Sequence, residues 1–447
     1  MKRLLLLFML AETIVSLAQK EVSRTLDRYM QAQATQNDFS GTVLVSQKGN
    51  IIYEKSFGLA NREWNVPNSP ETRYRICSLT KQFTAAAVLR LEEQGKLTIS
   101  DKLSKYFPDY PKGDEVTLHM LLNHTSGIKD VGEIPKWFRL DARLPVEKMK
   151  DTLIAVFKDK PYDFEPGKGW HYSNSGYILL GYVIEQASGQ PYYDYVREYL
   201  LKKASMDDSG FLQHDLIVPN LVNGYALLPS GWKRSTSETG NSGFSAGNMF
   251  ATARDLFKWR VALQSGKIIS AASLKKMNTP HHPERGAGYG IFVDNFLNHK
   301  VLEHQGAIEG FNTYMGEYID DGVCIIVLTN RDTNLDFVPK GLAGIMFGRP
   351  VESFYKKKPV RFSGSVSAFA GEFKSPDLPF PVTVVEKDNK LYWRMWRDIE
   401  LIPESQKKFF IDEQDIDIQL EYMTDGSGTV SGLYFISAGI RNKLKKA

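Results

Sequence analysis

The stretch Ser78-Leu79-Thr80-Lys81 begins an apolar run that spans residues 79–94 and ends at Gly95. A glycine directly after such a run is typical of the C-terminal end of a helix, so Ser78 is predicted to begin a long buried helix. Residues three positions apart lie on the same helix face, which places Lys81 beside Ser78. The positive end of a helix stabilises a developing alkoxide, and a desolvated lysine can accept the serine proton. The pattern therefore indicates a serine nucleophile.

The same four-residue pattern is weak when it is taken alone. Five further copies begin at Ser126, Ser230, Ser273, Ser353 and Ser405. For any single copy the simpler interpretation is a serine that caps a helix and a lysine that is solvated. The first copy differs from these five because it begins a long apolar helix.

A second motif, Tyr172-Ser173-Asn174, immediately precedes another apolar run at residues 177–187, which stops at Gly189. A tyrosine hydroxyl near a lysine ammonium is expected to have a lowered pKa and to transfer a proton. An asparagine amide can bind a substrate carbonyl. The alternative is an ordinary loop in which Asn174 caps the helix.

A third motif, His304-Gln305-Gly306-Ala307, comes just before two late strands. Here a backbone N–H is expected to face the nucleophile, and His304 is expected to contact a substrate carboxylate. The alternative is the entry to a strand that happens to contain a glycine.

The three motifs occur in the order Ser-x-x-Lys, Tyr-x-Asn, His-x-Gly, and in this order they resemble the serine β-lactamase and penicillin-binding-protein family. The branch that the chain resembles contains class C β-lactamases, DD-carboxypeptidases, D-aminopeptidases and related esterases. The similarity covers about residues 35–335. Four further stretches share it: residues 74–77 (YRIC), 121–128 (LLNHTSGI), 164–167 (FEPG) and 306–311 (GAIEGF).

The resemblance implies a role for each motif residue. Ser78 is the expected nucleophile and Lys81 its activator, while Tyr172 is the expected general base that later protonates the leaving group. Asn174 would orient the substrate amide. The backbone N–H groups of Ser78 and Ala307 would form the oxyanion hole. Chemistry of this kind proceeds through an acyl-enzyme and requires no metal or cofactor.

The chain departs from the family pattern at His304, where typical β-lactamases carry a lysine. A histidine with an ordinary pKa of about 6.5 is only partly cationic at neutral pH. We therefore expect a weaker positive charge for a substrate carboxylate, as in the peptidase and esterase members of the family.

A rival nucleophile is present at Gly243-Phe244-Ser245-Ala246-Gly247, which matches the Gly-x-Ser-x-Gly elbow of α/β-hydrolases. That elbow requires a hydrophobic strand immediately before it, and residues 233–242 are polar. Residues 252–255 (TARD) instead predict a capping box that begins the next helix. Ser245 is therefore rejected as the nucleophile.

The order of the predicted elements indicates one sheet assembled from two distant parts of the chain. Residues 42–47 and 51–57 predict a hairpin, as do residues 313–319 and 323–328, and helices occupy the segment between the two hairpins. This order predicts an α+β fold. The resemblance implies its β-lactamase/transpeptidase-like form, an antiparallel sheet flanked by helices plus a helical region.

The predicted domain organisation has four parts. Residues 1–18 form a signal peptide, residues 19–350 the hydrolase domain, residues 351–366 a linker and residues 367–447 an all-β domain. Short alternating runs predict a small barrel or sandwich for the last part. It resembles the lipocalin-like β domain that some family members carry.

The signal peptide is predicted from a basic start, an apolar run at residues 4–11 and a small-x-small site at residues 16–18. Eight apolar residues are too few to span a bilayer. We therefore expect export to a bacterial periplasm or to the outside. The alternative is an N-terminal helix that packs on the domain.

Composition excludes several classes of protein. The chain has 447 residues, of which 42% are hydrophobic and 24% charged, and a net charge of +4. These values fit a folded protein that is not a dedicated nucleic-acid binder. Two cysteines, Cys77 and Cys324, exclude a Cys-rich metal site, whereas a single disulfide between them stays open. Oligomeric state is not determined at this level.

Together these patterns predict a secreted serine hydrolase with a small-molecule or peptide substrate. The expected substrates are peptides or amides that contain D-amino acids, or β-lactams. A carboxylesterase on the same fold is the near alternative. A catalytically inactive ligand-binding or sensor protein is the alternative from another class, and the joint presence of Ser78, Lys81 and Tyr172 argues against it.

Overall fold

The computed structural model describes residues 2–447 except residues 136, 138–145, 214–215, 236–242, 334, 377, 379 and 414–415. For residues 2–18 and 146–149 it describes the backbone alone. The chain divides into two compact units. One unit is Ser40–Asp332, and the other combines Met1–Phe39 with Thr333–Ala447.

The Ser40–Asp332 unit contains a six-stranded antiparallel sheet and three smaller sheets. Its strands in chain order are β1 (Gly41–Gln47), β2 (Asn50–Phe57), β3 (Leu59–Asn61), β4 (Val66–Pro67), β5 (Tyr74–Arg75), β6 (Gly210–Phe211), β7 (Tyr225–Leu228), β8 (Gly231–Arg234), β9 (Met249–Ala251), β10 (Phe292–Phe296), β11 (His299–Ile308), β12 (Phe311–Tyr318) and β13 (Val323–Thr329).

The main sheet has the order β10-β11-β12-β13-β1-β2. Strand β1 pairs with β13 in register Val45↔Ile325, so the two ends of the unit meet at the centre of the sheet. Both sides of this pair are buried, because β13 is apolar along its whole length. The prediction of one sheet built from two distant hairpins is confirmed.

Helices occupy the segment between the two hairpins, as predicted. The α-helices of both units in chain order are α1 (Lys2–Gln36), α2 (Thr80–Glu93), α3 (Leu118–Leu122), α4 (Val146–Phe157), α5 (Asn174–Ser188), α6 (Tyr192–Val196), α7 (Lys202–Ala204), α8 (Phe244–Gly247), α9 (Ala253–Gln264), α10 (Ala271–Met277) and α11 (Val338–Met346).

Helix α2 lies in the middle of the core, since every residue from Thr80 to Leu89 is buried. Its last residue is Glu93, and Gln94 is the C-cap. Gly95 follows with φ +67°, the left-handed conformation that glycine adopts at low cost. Helix α5 ends in the same way at Gly189, with φ +74°. Both predicted helix ends are thus confirmed.

The other unit contains a closed eight-stranded antiparallel barrel. Of the two predicted all-β forms, a small barrel or a sandwich, the barrel is therefore the one observed. Its strands are β14 (Gly371–Lys374), β15 (Val382–Lys387), β16 (Lys390–Arg394), β17 (Asp398–Pro403), β18 (Lys408–Phe410), β19 (Ile418–Thr424), β20 (Val430–Ser437) and β21 (Ile440–Lys446). Side chains such as Phe373, Phe409 and Tyr422 are buried in its core.

Helix α1 belongs to the same unit as the barrel, and its predicted apolar face is buried at Leu26, Tyr29 and Met30. The residues predicted as a signal peptide form the first half of this helix. Among the described residues, no helix combines the length and the apolar character needed to cross a membrane.

A buried polar cluster joins the ends of the central strands in the Ser40–Asp332 unit. Asn330, which is fully buried, accepts a hydrogen bond from Ser40 Oγ (2.8 Å). Its amide nitrogen donates to the carbonyl oxygens of Leu59 and Asn223 (2.9 Å each). One side chain therefore satisfies buried polar groups from three separate segments.

We predict that Asn330→Ala lowers the free energy of unfolding by about 3 kcal/mol, because it leaves buried donors and acceptors without partners. Chemical denaturation monitored by circular dichroism measures the change. The matched control is Asn50→Ala at an exposed position in the β1–β2 turn, with an expected change below about 0.5 kcal/mol. Equal effects for the two variants would contradict the role assigned to Asn330.

Candidate active site

Ser78 lies in a turn of 3-10 helix, Cys77–Leu79, that leads directly into α2. A hydrogen bond from the backbone N–H of Ile76, just before the turn, to the Met249 carbonyl (3.0 Å) fixes the start of the turn. Cys77 has φ +49°, an uncommon conformation for a residue with a side chain. The strained residue turns the chain sharply and leaves Ser78 partly exposed at the start of the buried helix.

Lys81 lies one turn further along α2 and is completely buried. Its ammonium group donates to Ser78 Oγ (3.1 Å), Asn174 Oδ1 (2.8 Å) and the Ala246 carbonyl (2.8 Å). Burial lowers the pKa of Lys81 to about 7, although the nearby Asp130 carboxylate acts in the opposite direction. The predicted desolvation of this lysine is confirmed.

The loop that carries Tyr172 is fixed by the stretch at residues 121–128. Burial holds the pKa of His124 well below its usual value, so this histidine is neutral and its Nδ1 atom accepts a hydrogen bond. Three hydrogen bonds hold the loop: Asp163 N to Gly127 O (2.8 Å), His171 N to His124 O (3.1 Å) and Ser173 N to His124 Nδ1 (3.0 Å). The residues of this stretch, which resemble the family sequence, therefore hold the backbone of the loop that carries Tyr172.

The Tyr172 hydroxyl is buried and makes no hydrogen bond of good geometry with any residue that the structure describes. Lys81 Nζ lies 4.9 Å from the centre of its ring. Burial raises the pKa of Tyr172 above its usual value, and proximity to Ser78 offsets only part of that increase. The prediction of a lowered tyrosine pKa is wrong, because desolvation by burial outweighs the interaction with Ser78. Tyr172 is a protonated phenol at neutral pH.

Asn174 is the first residue of α5, and the sequence motifs did not reveal its main partner, Asp130. The buried Asp130 carboxylate accepts from the Asn174 backbone N–H (2.7 Å) and from its side-chain Nδ2 (3.2 Å). This pair turns the Asn174 oxygen towards Lys81. Gly132 lies so close to Asp130 that an added Cβ would be 2.8 Å from a carboxylate oxygen. No sequence signal marks an acid whose partner is 44 residues away.

Strand β11 brings Gly306 and Ala307 next to the turn that carries Ser78. Gly306 packs directly on the turn before Ser78, and a Cβ added to it would lie 2.6 Å from the Ile76 carbonyl and 2.9 Å from Cys77 Cβ. Ala307 is exposed beside it. The absence of a side chain at Gly306 therefore permits the close approach of this strand to the nucleophile turn.

His304 lies on the same strand and is only 3% exposed. Its Nδ1–H donates to the Gln305 carbonyl, and its buried Nε2 atom has no partner within the described part of the chain. Burial lowers the pKa of His304 to about 3, and the neighbouring Lys81 adds to this effect. The expectation that His304 supplies a partial positive charge is therefore wrong: this histidine is neutral.

Ser245, the rival nucleophile, is fully buried, and its hydroxyl donates to the Tyr177 carbonyl (2.8 Å). Its neighbour Ala246 provides the carbonyl that accepts from Lys81, a contribution that the sequence motifs do not reveal. The predicted helix start at Thr252 is confirmed, since Thr252 Oγ1 accepts from the backbone N–H of Asp255 (3.2 Å). The Asp255 carboxylate accepts from Asp208 N and Ser209 Oγ, so only the Thr252 half of the predicted capping box is confirmed. Cys77 and Cys324 are both free and buried.

His171, next to Tyr172, belongs to an ion-pair network on the edge of the site. Its ring contacts Asp163 (2.7 Å) and Glu133 (3.1 Å), and Lys129 contacts both carboxylates. His171, Glu133 and Asp163 bring possible metal ligands within 4.8 Å of one another. Because the Lys129 ammonium already occupies a place between the two acids, we interpret the network as a clamp on the loop.

A serine at the start of a buried helix, a desolvated lysine and a protonated tyrosine beside strand β11 are the elements of a serine hydrolase of the β-lactamase type. The Beta-lactamase family model matches residues 24–345. The chain belongs to the Beta-lactamase family.

Relatives and solved structures agree with this assignment. The chain is 27% identical over 420 residues to penicillin-binding protein 4* of Bacillus subtilis, covering 88% of this chain and 92% of the relative. It is 33% identical over 297 residues to a putative penicillin-binding protein of the same organism, covering 66% and 71%. It is similar to the D-amino acid amidase of Ochrobactrum anthropi solved with D-phenylalanine (25% identity, TM-score 0.60, 72% and 97% covered). These relatives support a serine hydrolase.

We predict that Gly306→Ala lowers the rate of acylation of Ser78 at least about 100-fold, the usual effect of losing an oxyanion donor. The added methyl group must push β11 away from the Ile76–Cys77 turn. Stopped-flow acylation by an activated ester measures the rate. The matched control is Gly426→Ala in a barrel turn, where an added Cβ meets no atom within 4 Å. Unchanged acylation in folded Gly306→Ala would show that the close approach is not required.

Proposed function

We propose that this protein is a secreted hydrolase that cleaves peptides or amides containing D-amino acids through an acyl-enzyme on Ser78. The observation that carries the proposal is the hydrogen bond between the Ser78 hydroxyl and Lys81, a lysine that is fully buried. A solvated lysine with an ordinary pKa near 10.4 is a poor base at neutral pH, and burial removes this obstacle.

In the proposed acylation step, Lys81 accepts the proton of Ser78 while the serine oxygen attacks the substrate carbonyl. The bond from oxygen to carbon forms, and the carbonyl electrons move to the oxyanion. The backbone N–H groups of Ser78 and Ala307 are the proposed donors to this oxyanion. The close packing of Gly306 on the Ser78 turn supports this assignment.

In the proposed second step, the protonated Tyr172 donates its proton to the leaving nitrogen as the bond from carbon to nitrogen breaks. Lys81, now an ammonium close to the Tyr172 ring, returns a proton to the tyrosine. The raised pKa of Tyr172 supports the role of donor rather than that of initial base. Water then hydrolyses the acyl-enzyme, again with Lys81 as base.

Asn174 is the proposed ligand for the substrate amide. Its Nδ2 group has two N–H bonds, of which one donates to Asp130. The other is available to a substrate carbonyl. Asp130 therefore acts as a positioning residue in this scheme, because it fixes the orientation of the amide.

The substrate class rests on similarity. Structures of the D-amino acid amidase from Ochrobactrum anthropi contain D-phenylalanine, and the chain matches 97% of that protein. An esterase is the second candidate, because the neutral His304 provides no cation for the carboxylate of a β-lactam or a peptide terminus. An inactive sensor is less compatible with the buried Lys81.

Export to the periplasm and a lipocalin-like role for the barrel also remain proposals. The basic and apolar start of the chain supports export. The eight-stranded closed barrel supports the lipocalin comparison in its topology, although its interior is filled by aromatic side chains. We assign the barrel a role in substrate access or association rather than in the chemical steps.

We predict that kcat/KM for an uncharged ester falls about tenfold for each pH unit below pH 7 and is constant above it. Lys81 has a pKa of about 7, so its basic form is lost as the pH falls through that value. The Lys81→Arg variant keeps the charge but cannot accept a proton in this range, so it should lose activity at every pH. An unchanged rate between pH 5 and pH 9 in the wild type would rule out Lys81 as the base.

We predict that Ser78→Ala abolishes covalent labelling and lowers turnover about a thousandfold or more. Mass spectrometry of protein treated with a penicillin or a phosphonate should locate the adduct on Ser78. The matched control is Ser245→Ala, which removes a buried hydroxyl outside the site and should still be labelled. An adduct on Ser245 would overturn the assignment.

A further inference from the structure

The His304 side chain is held in one tautomer by its own strand. Its Nδ1 atom must carry the proton, because it donates to the Gln305 carbonyl oxygen. The other ring nitrogen, Nε2, is then a bare acceptor. Among the residues that the structure describes, this atom has no hydrogen-bond partner, and the side chain is only 3% exposed.

Buried polar atoms are almost always paired in folded proteins, so an unpaired one next to a nucleophile indicates a position for a ligand. His304 lies two residues before Gly306, which packs on the Ser78 turn. Its ring centre is 6.2 Å from that of Tyr172, whose hydroxyl interacts with Ser78. The unpaired Nε2 atom therefore belongs to a side chain next to the nucleophile.

The surroundings of His304 are aromatic. The Phe292 ring lies 5.3 Å from His304, centre to centre, and the Trp170 ring lies 6.3 Å from Phe292. The charged groups facing this wall are Lys81 on the inner side and Arg285, which lies 5.4 Å from the centre of the Trp170 ring. An ammonium group on a substrate would be repelled by these cations, so the wall does not suit a positively charged group.

We propose that His304 is a specificity-determining residue whose Nε2 atom accepts a hydrogen bond from an uncharged N–H group of the substrate, such as a carboxamide. The site therefore prefers substrates that end in an amide over substrates that end in a carboxylate. This inference rests on the proposed function, since it concerns the substrate of the Ser78 acyl-transfer reaction.

The preference follows from hydrogen-bond chemistry. A carboxamide N–H satisfies the bare Nε2 atom. A carboxylate at the same place offers only acceptors, so two acceptors would face each other with no proton between them. The carboxylate would also lose its hydration without gaining a partner. The site is thus expected to bind the carboxylate more weakly than the carboxamide.

The test uses two esters of N-acetyl-D-alanine that differ in one group of the leaving phenol, 3-hydroxybenzamide or 3-hydroxybenzoate. The measured quantity is the ratio of their kcat/KM values, each divided by the rate of hydrolysis in buffer to remove intrinsic reactivity. Mass spectrometry verifies that both esters acylate Ser78. For the wild type we expect a ratio of about ten in favour of the carboxamide, the usual size of one hydrogen bond gained or lost.

Two variants connect the ratio to His304. In His304→Lys a cation replaces the acceptor, and the ratio should reverse in favour of the carboxylate. In His304→Leu an apolar side chain of similar size replaces the buried ring, and the ratio should fall to about one. Circular dichroism and thermal unfolding verify that each variant is folded. If His304→Lys does not fold, the ratio measured for His304→Leu tests by itself whether the preference depends on His304.

The matched control is His299→Lys, the same substitution on the same strand β11. His299 is half-buried at the far end of this strand, where it pairs with Asp321, so the ratio should stay at the wild-type value. A wild-type ratio near one, or one that favours the carboxylate, overturns the inference. So does a carboxamide preference that persists unchanged in His304→Leu. If neither ester forms an adduct on Ser78, the proposed function itself fails, and this result is distinct from equal acylation by both esters.

Discussion

Three hydrogen bonds from one buried ammonium group hold the site together. Lys81 donates to Ser78 in the turn before α2, to Asn174 at the start of α5 and to the Ala246 carbonyl in α8. Each acceptor comes from a different segment, so the position of a single side chain relates the nucleophile to two other helices. Burial of an ammonium group is unfavourable unless the group is fully hydrogen-bonded. Burial also lowers the pKa of Lys81 to about 7, and for this reason the lysine can act as a base at neutral pH.

Desolvation has a consistent effect on the other titratable groups of the site. It keeps Tyr172 protonated, and it keeps His124 and His304 neutral. The two histidines then act through their acceptor nitrogens: His124 fixes the tyrosine loop, and His304 is left with an unpaired acceptor. Tyr172, His124 and His304 thus contribute no charge to the wall that faces a substrate. This feature underlies both the esterase alternative and the inferred preference for amides.

Much of the fold follows from local patterns in the sequence. Glycines at residues 95 and 189 end the two apolar helices where predicted, and the two predicted hairpins correspond to β1–β2 and β12–β13. The barrel strands β14, β17 and β21 are harder to predict from the sequence, because charged residues in each of them weaken the apolar signal. Ser78 and Lys81 share one helix turn, so their proximity could be predicted from spacing. The contributions of Asp130 and the Ala246 carbonyl could not, because they depend on tertiary contacts. The Tyr172 pKa was predicted to shift in the wrong direction, and His304 was expected to keep an ordinary pKa, because burial is not visible in the sequence.

The account depends most directly on the ionisation of Lys81 in the folded protein. Nuclear magnetic resonance of protein labelled at the lysine side chains can follow its ε-amino group across pH 5 to 11, with Lys81→Arg to assign the signal. The account predicts a titration midpoint near pH 7. A midpoint near the ordinary lysine value of about 10.4 would mean that Lys81 is a permanent ammonium group at neutral pH and would contradict its role as the base.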